Sequence, residues 1–111
     1  MPRGDYLGEF EEIVLLAVAR LDGEAYGMTI RREIEERTGR GVSIGAVYAT
    51  VERLEDKGFV AVGEGDADPS RDGRARRFFT VTPAGASALD AAEALRASLR
   101  RGLKWRSSSR A

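Results

Sequence analysis

Apolar residues recur at helical spacing three times before the pattern changes. Over residues 8–21, Phe10, Ile13, Val14, Ala17 and Leu21 keep a three-and-four rhythm. Leu15, Leu16 and Val18 fill the gaps, so the predicted first helix is apolar nearly all round. One face can serve a domain core, and the other needs a further partner. Asp22-Gly23 signals a turn. The second predicted helix, residues 26–38, has Met28, Ile30 and Ile34 as apolar positions and a charged face of Arg31, Arg32, Glu33, Glu35, Glu36 and Arg37. Gly39 stops it. Ser43 is a good N-cap for a third helix. There Ile44, Val47, Val51 and Leu54 point inward, and Ala46, Ala49, Thr50, Arg53 and Lys57 point outward, until Gly58.

Two strand-like runs follow, 59–62 and 76–81, with clear alternation only in the second. The stretch between them, 63–75, is rich in Gly, Asp, Pro and Ser and reads as an exposed hairpin loop. Thr82-Pro83 places a cap and a first-turn proline ahead of a fourth helix over 83–102, about 30 Å long. Its stripe is Ala88, Leu89, Ala92, Leu95, Leu99 and Leu103. Residues 106–111 read as a disordered tail. The fold class this order predicts is α+β, mainly α: a winged helix-turn-helix with a two-stranded wing over 1–82, then a C-terminal helix over 83–105.

A helix, a short turn and a second helix can lay one helix across a DNA backbone and present the next to the major groove. The presenting face must be thin or carry one extended side chain. Ala46, Ala49 and Thr50 are small, and Arg53 is long. Ser43 and the free amides at this helix N-terminus can hold a phosphate. The Tyr48 hydroxyl lies close enough to the same face to reach the backbone. An ordinary amphipathic core helix would show a similar pattern, with Tyr48 half-buried and Arg53 paired to Glu52, Asp56 or Glu33. The loop adds Arg71, Arg74, Arg76 and Arg77 against the single acid Asp72. A basic wing of this kind touches sugar-phosphate or the minor groove.

Charge supports the same division. The chain is formally neutral, yet through Asp66 it carries fourteen acids against eight bases, and from Ala67 onward ten bases against four acids. Overall neutrality therefore does not argue against a polyanionic partner. There is no cysteine and no histidine among the 111 residues. This removes disulfides, thiolate and imidazole metal sites and the commonest general base, and with no glycine-rich cofactor loop it argues against an enzyme. No cofactor or metal is expected. Asp66, Asp68, Ser70 and Asp72 hint at a calcium loop, but Arg71 stands where its glycine belongs. The Glu11-Glu12 and Glu35-Glu36 pairs read as solvated faces. The longest apolar run, 13–19, is far too short for a bilayer, so a cytoplasmic protein is expected.

Tyr26-Gly27 opening the second helix, the block TGRGVSIGAVYATVERLEDKGFV, the basic wing and FFTVTPAG together resemble the PadR family of transcriptional regulators, over roughly residues 7–89. The length is similar to that of the short subfamily, which has a single C-terminal helix. Where the family has a glycine pair in the wing, this chain has Arg71-Asp72-Gly73-Arg74. The resemblance implies a homodimeric repressor on a pseudo-palindromic double-stranded DNA operator. The implied DNA-binding residues are Tyr26, Ser43, Ala46, Tyr48, Ala49, Thr50, Arg53, Arg71, Arg74 and Arg76. The implied dimer interface is Phe10, Ile13, Val14, Leu89, Ala92, Leu95, Leu99 and Leu103. In some short members an aromatic on the last helix lines a ligand pore between subunits, so the resemblance offers Trp105 as the candidate contact of a small-molecule effector, the alternative being an edge packing residue or part of a frayed tail. The rival reading is a winged-helix protein-interaction module that never touches bases.

Overall fold

The structure, a computed structural model, describes residues 6–67 and 75–105. Its elements follow the predicted order: α1 (Glu9–Leu21), α2 (Gly27–Thr38), α3 (Ile44–Asp56), β1 (Val60–Ala67), β2 (Ala75–Val81) and α4 (Pro83–Arg100). Each helix boundary has a local cause. The Glu11 carboxylate accepts from the Gly8 amide at 2.8 Å, and the Thr29 hydroxyl accepts from the Tyr26 amide at 2.9 Å. Ser43 and Thr82 cap α3 and α4, their hydroxyls accepting from the Ala46 and Gly85 amides at 3.0 Å each. Gly39, at φ 72°, ends α2 in the left-handed region, which costs glycine little.

The three N-terminal helices enclose the core. Val14, Leu15 and Val18 from α1 meet Ile30 and Ile34 from α2 and Val47, Val51 and Leu54 from α3, with Phe59, Val60 and Phe79 closing it from the hairpin side. Burial of these side chains is the main favourable term in the fold. Two assignments change here. Val14 is 0% exposed and belongs to this core, so it is not available to a partner. Thr50 is 2% exposed and does not lie on the outward face of α3. A helix turns about 100° per residue, which puts Thr50 between Leu54 on one side and Ala46 on the other, at the edge of the inward face, and the packing of α3 in the domain buries it.

The hairpin is longer than its composition suggests. β1 and β2 pair antiparallel, with Val60 opposite Val81, Val62 opposite Phe79, Gly63 opposite Phe78 and Glu64 opposite Arg77, then shift register before Ala67. The stretch read as loop from residue 63 therefore continues as strand to Ala67. Gly65 explains the misreading: the Phe78 ring occupies the space a Cβ would need there. Its glycine makes room for an aromatic ring rather than a turn. The Phe79 amide donates to the Ala25 carbonyl at 2.8 Å, and Tyr26 meets Phe78 edge-on at 5.5 Å. These contacts fix the base of the wing against the start of α2.

α4 packs on the domain by its first turns and is tied to α1 further along by the Arg96–Glu12 ion pair. Gly85 is buried in those turns, and Ala88 and Leu89 pack partly against the core. Beyond Arg96 the helix projects from the domain, and Leu99 is 72% exposed. Among the described residues, no helix is long and apolar enough to cross a membrane.

Candidate nucleic-acid interface

α3 presents two chemically different halves. Its N-terminal half exposes Gly45, Ala46, Tyr48 and Ala49. The Ala46 amide is taken by the Ser43 hydroxyl and the Val47 amide by the Ser43 carbonyl, leaving the amides of Ile44 and Gly45 without an intrahelical acceptor. Tyr48 is 41% exposed, and its ring lies over the first residue of α2, where a Cβ on Gly27 would overlap the Tyr48 hydroxyl and ring. The hydroxyl is thereby held at the junction of α2 and α3. The C-terminal half exposes Glu52, Arg53, Glu55 and Asp56. Three carboxylates repel phosphate, so the N-terminal half suits the approach of a polyanion better, and in the C-terminal half Arg53 alone offers exposed positive charge.

Arg53 is exposed, but its charge is engaged. Its Nε donates to Glu11 Oε2 at 3.4 Å, and its terminal nitrogen donates to the Thr50 hydroxyl at 3.1 Å. Its partner is therefore none of the three acids that spacing alone suggests. Lys57, expected on the outward face, donates instead to Glu11 Oε1 and to the Tyr6 carbonyl, both at 2.8 Å. Glu11 is buried and bonded by three donors, the Gly8 amide, Arg53 and Lys57, and Glu12 pairs with Arg96 of α4. Neither glutamate belongs to a solvated face. Burial alone would raise the Glu11 carboxyl. Hydrogen bonds from Lys57, the Gly8 amide and Arg53 outweigh it and hold the group below its ordinary 4.5. Glu11 was legible only as the N3 residue of a capping box, and nothing local announced its partners 42 and 46 residues away.

The sequence profile described as "Transcriptional regulator PadR-like family" matches residues 15–91. The chain belongs to this family. Transcriptional regulator Rv3488 of Mycobacterium tuberculosis is 40% identical over 68 residues, covering 61% of this chain and 59% of that protein. The match thus spans about three-fifths of the relative's length. A PadR-like transcription factor from Bacteroides fragilis superimposes with a TM-score of 0.70 at 21% identity over 82% of each chain, a likeness of fold. A structure of hsRosR-SG, solved in a complex, gives a TM-score of 0.70 at 25% identity over 93% of this chain and 84% of that one.

In this PadR-like chain the remaining site residues are placed as follows. Tyr26 caps α2 at the wing base, half-buried against Phe78. Arg71 and Arg74 lie outside the described residues, as do the side chain of Arg76 and residues 106–111. Arg77 pairs with Glu55 at 3.7 Å and lies over the Phe79 ring, so it ties the wing to α3. Phe10 and Ile13 are partly buried against the core, as is Leu89, while Ala92 is half-buried. Leu95, Leu99 and Leu103 are all exposed. Trp105 is 59% exposed, with the Arg100 guanidinium 5.4 Å from its ring centre. Among the described residues, no cluster of acids could hold a metal ion.

Proposed function

We propose that this regulator binds double-stranded DNA sequence-specifically as a homodimer and acts as a repressor at a pseudo-palindromic operator. One observation carries the reading: a recognition helix whose exposed N-terminal half is made of small residues and one tyrosine, capped by Ser43 and followed at once by an arginine-bearing hairpin. Ala46 and Ala49 allow close approach to base edges, and an apolar methyl suits thymine. Ser43, Tyr48 and Tyr26 suit the backbone, and Arg71, Arg74 and Arg76 would add phosphate contacts from the wing. Arg53 is the extended reader at the groove's far side. Thr50 supports Arg53 rather than contacting DNA.

The dimer reading rests on the exposed Leu95, Leu99 and Leu103, which continue the partly covered face of Phe10, Ile13, Leu89 and Ala92. Exposed leucines in a row of this kind mark a surface that a partner covers, and a two-fold axis would cover it twice. A small-molecule effector would act at this face, with Trp105 beside it. The protein acts in the cytoplasm and catalyses nothing. Selection of bound fragments from random DNA, followed by gel shift against random competitor, is the test. Enrichment of an inverted repeat is expected. Recovery of unrelated sequences would leave a protein-interaction module as the reading.

A further inference from the structure

Arg53, the long cation on the recognition helix, is not aimed freely outward. Its guanidinium is held from two sides, by the Glu11 carboxylate at 3.4 Å and the Thr50 hydroxyl at 3.1 Å. Both holders are fixed. Thr50 is buried in the core, and Glu11 is anchored by the Gly8 amide at 2.8 Å and by Lys57 at 2.8 Å. Its side chain is only 10% exposed, whereas that of Arg53 is 54% exposed. The mobile member of the pair is therefore the arginine. DNA that recruits it must first take it from a carboxylate that stays behind, buried, with Lys57 still beside it.

We infer that Glu11, a residue of α1 and not of the recognition helix, is a specificity-determining positioning residue. It withholds the Arg53 charge from arbitrary phosphates and releases it only to a duplex that offers a better, two-pronged acceptor. A lone phosphate oxygen competes poorly with a carboxylate already in contact. A guanine edge accepts two hydrogen bonds in the geometry of the guanidinium and competes well. The pair thus acts against the sequence-independent part of binding, which grows with every cation laid on the backbone. This inference rests on the proposed DNA reading by α3.

The test uses the whole chain, one duplex selected by the wild type from a random pool, and one duplex of scrambled sequence. Glu11→Gln keeps the shape and removes the charge. It should tighten binding to the scrambled duplex by about two- to fivefold per protomer, the range an ion pair of this exposure represents. The selected duplex should gain less, so discrimination falls. The slope of log affinity against log salt on the scrambled duplex should steepen by about 0.9 for each arginine released. Adding Arg53→Ala to Glu11→Gln should abolish the steepening; if it persists, Lys57 or a general loosening is responsible and the inference fails. Thr50→Val removes the second holder without a change of shape, and it serves if Glu11→Gln unfolds. It should raise scrambled-duplex affinity in the same direction. Unchanged discrimination and slope in a folded variant overturn the role of Glu11. A wild type that binds both duplexes alike overturns instead the proposed specific recognition.

Discussion

At the scale of single residues, two glycines make opposite predictions. Gly27 is buried beneath the exposed end of Tyr48. A methyl there displaces a side chain that can swing into solvent, and alanine favours the helix. Gly27→Ala should therefore leave the melting temperature within a few degrees of wild type, on the scale of about 1 kcal/mol of helix propensity, while weakening DNA binding by moving the Tyr48 hydroxyl. Thermal melts and gel shifts on the same preparation check this. Gly85 faces the Phe59 carbonyl, which also accepts from the Thr82 amide at 3.0 Å. Backbone cannot swing aside, so Gly85→Ala should destabilise by about 1–3 kcal/mol, as urea denaturation would show. Glu11 gives a pH prediction. Its carboxyl is held below 4.5 in the folded chain, so its contribution is complete above that value and disappears as pH falls through the lowered one. The stability gap between wild type and Glu11→Gln should be widest near neutrality and close in acid. A gap that is constant with pH would show that charge at Glu11 does not stabilise the fold.

At the scale of elements, the helices were legible and their long-range polar ties were not. Apolar spacing located α1 to α4, and Ser43 and Thr82 marked their starts, because caps and periodicity are local signals. Thr50 escaped because a small β-branched residue fits either a groove face or a core wall, and only the rotation of α3 against α1 decides between them. β1 escaped because Gly63 and Gly65 read as turn residues until Phe78 is known to lie over one of them. Glu11, Arg53 and Lys57 escaped because the ties joining them span 42 and 46 residues. The wing itself makes a prediction of the counterion kind. Arg74→Ala should weaken binding to all sequences alike and flatten the salt slope by roughly 2 per dimer. A slope equal to that of wild type in a salt titration would mean that Arg74 does not touch DNA.

For the whole molecule, the exposed run of Leu95, Leu99 and Leu103 makes assembly the first property to measure. Leu95→Asp with Leu99→Asp should give a monomer or an insoluble chain, and light scattering at micromolar concentration should find the wild type dimeric. A monomeric wild type would remove the two-fold reading and with it the inverted repeat. The ties from α1 also matter at this scale. Glu11 reaches α3 and Glu12 reaches α4 through Arg96, so one helical turn holds both α3 and the projecting helix.

That α4 is held to the domain no further along than Arg96 and then projects has a metric consequence. If two domains meet through their free ends, the helix is a ruler, and the separation and relative rotation of the two recognition helices are set by how many residues lie between Ala88 and Leu99. One alanine inserted after Ala92 turns the distal leucines by about 100° and advances them about 1.5 Å. Four inserted alanines bring them back to within about 40° of phase and lengthen the arm by about 6 Å. The first variant should lose cooperative binding to the natural inverted repeat. The second should regain it on repeats whose half-sites stand further apart, so that operator spacing becomes a readable property of helix length.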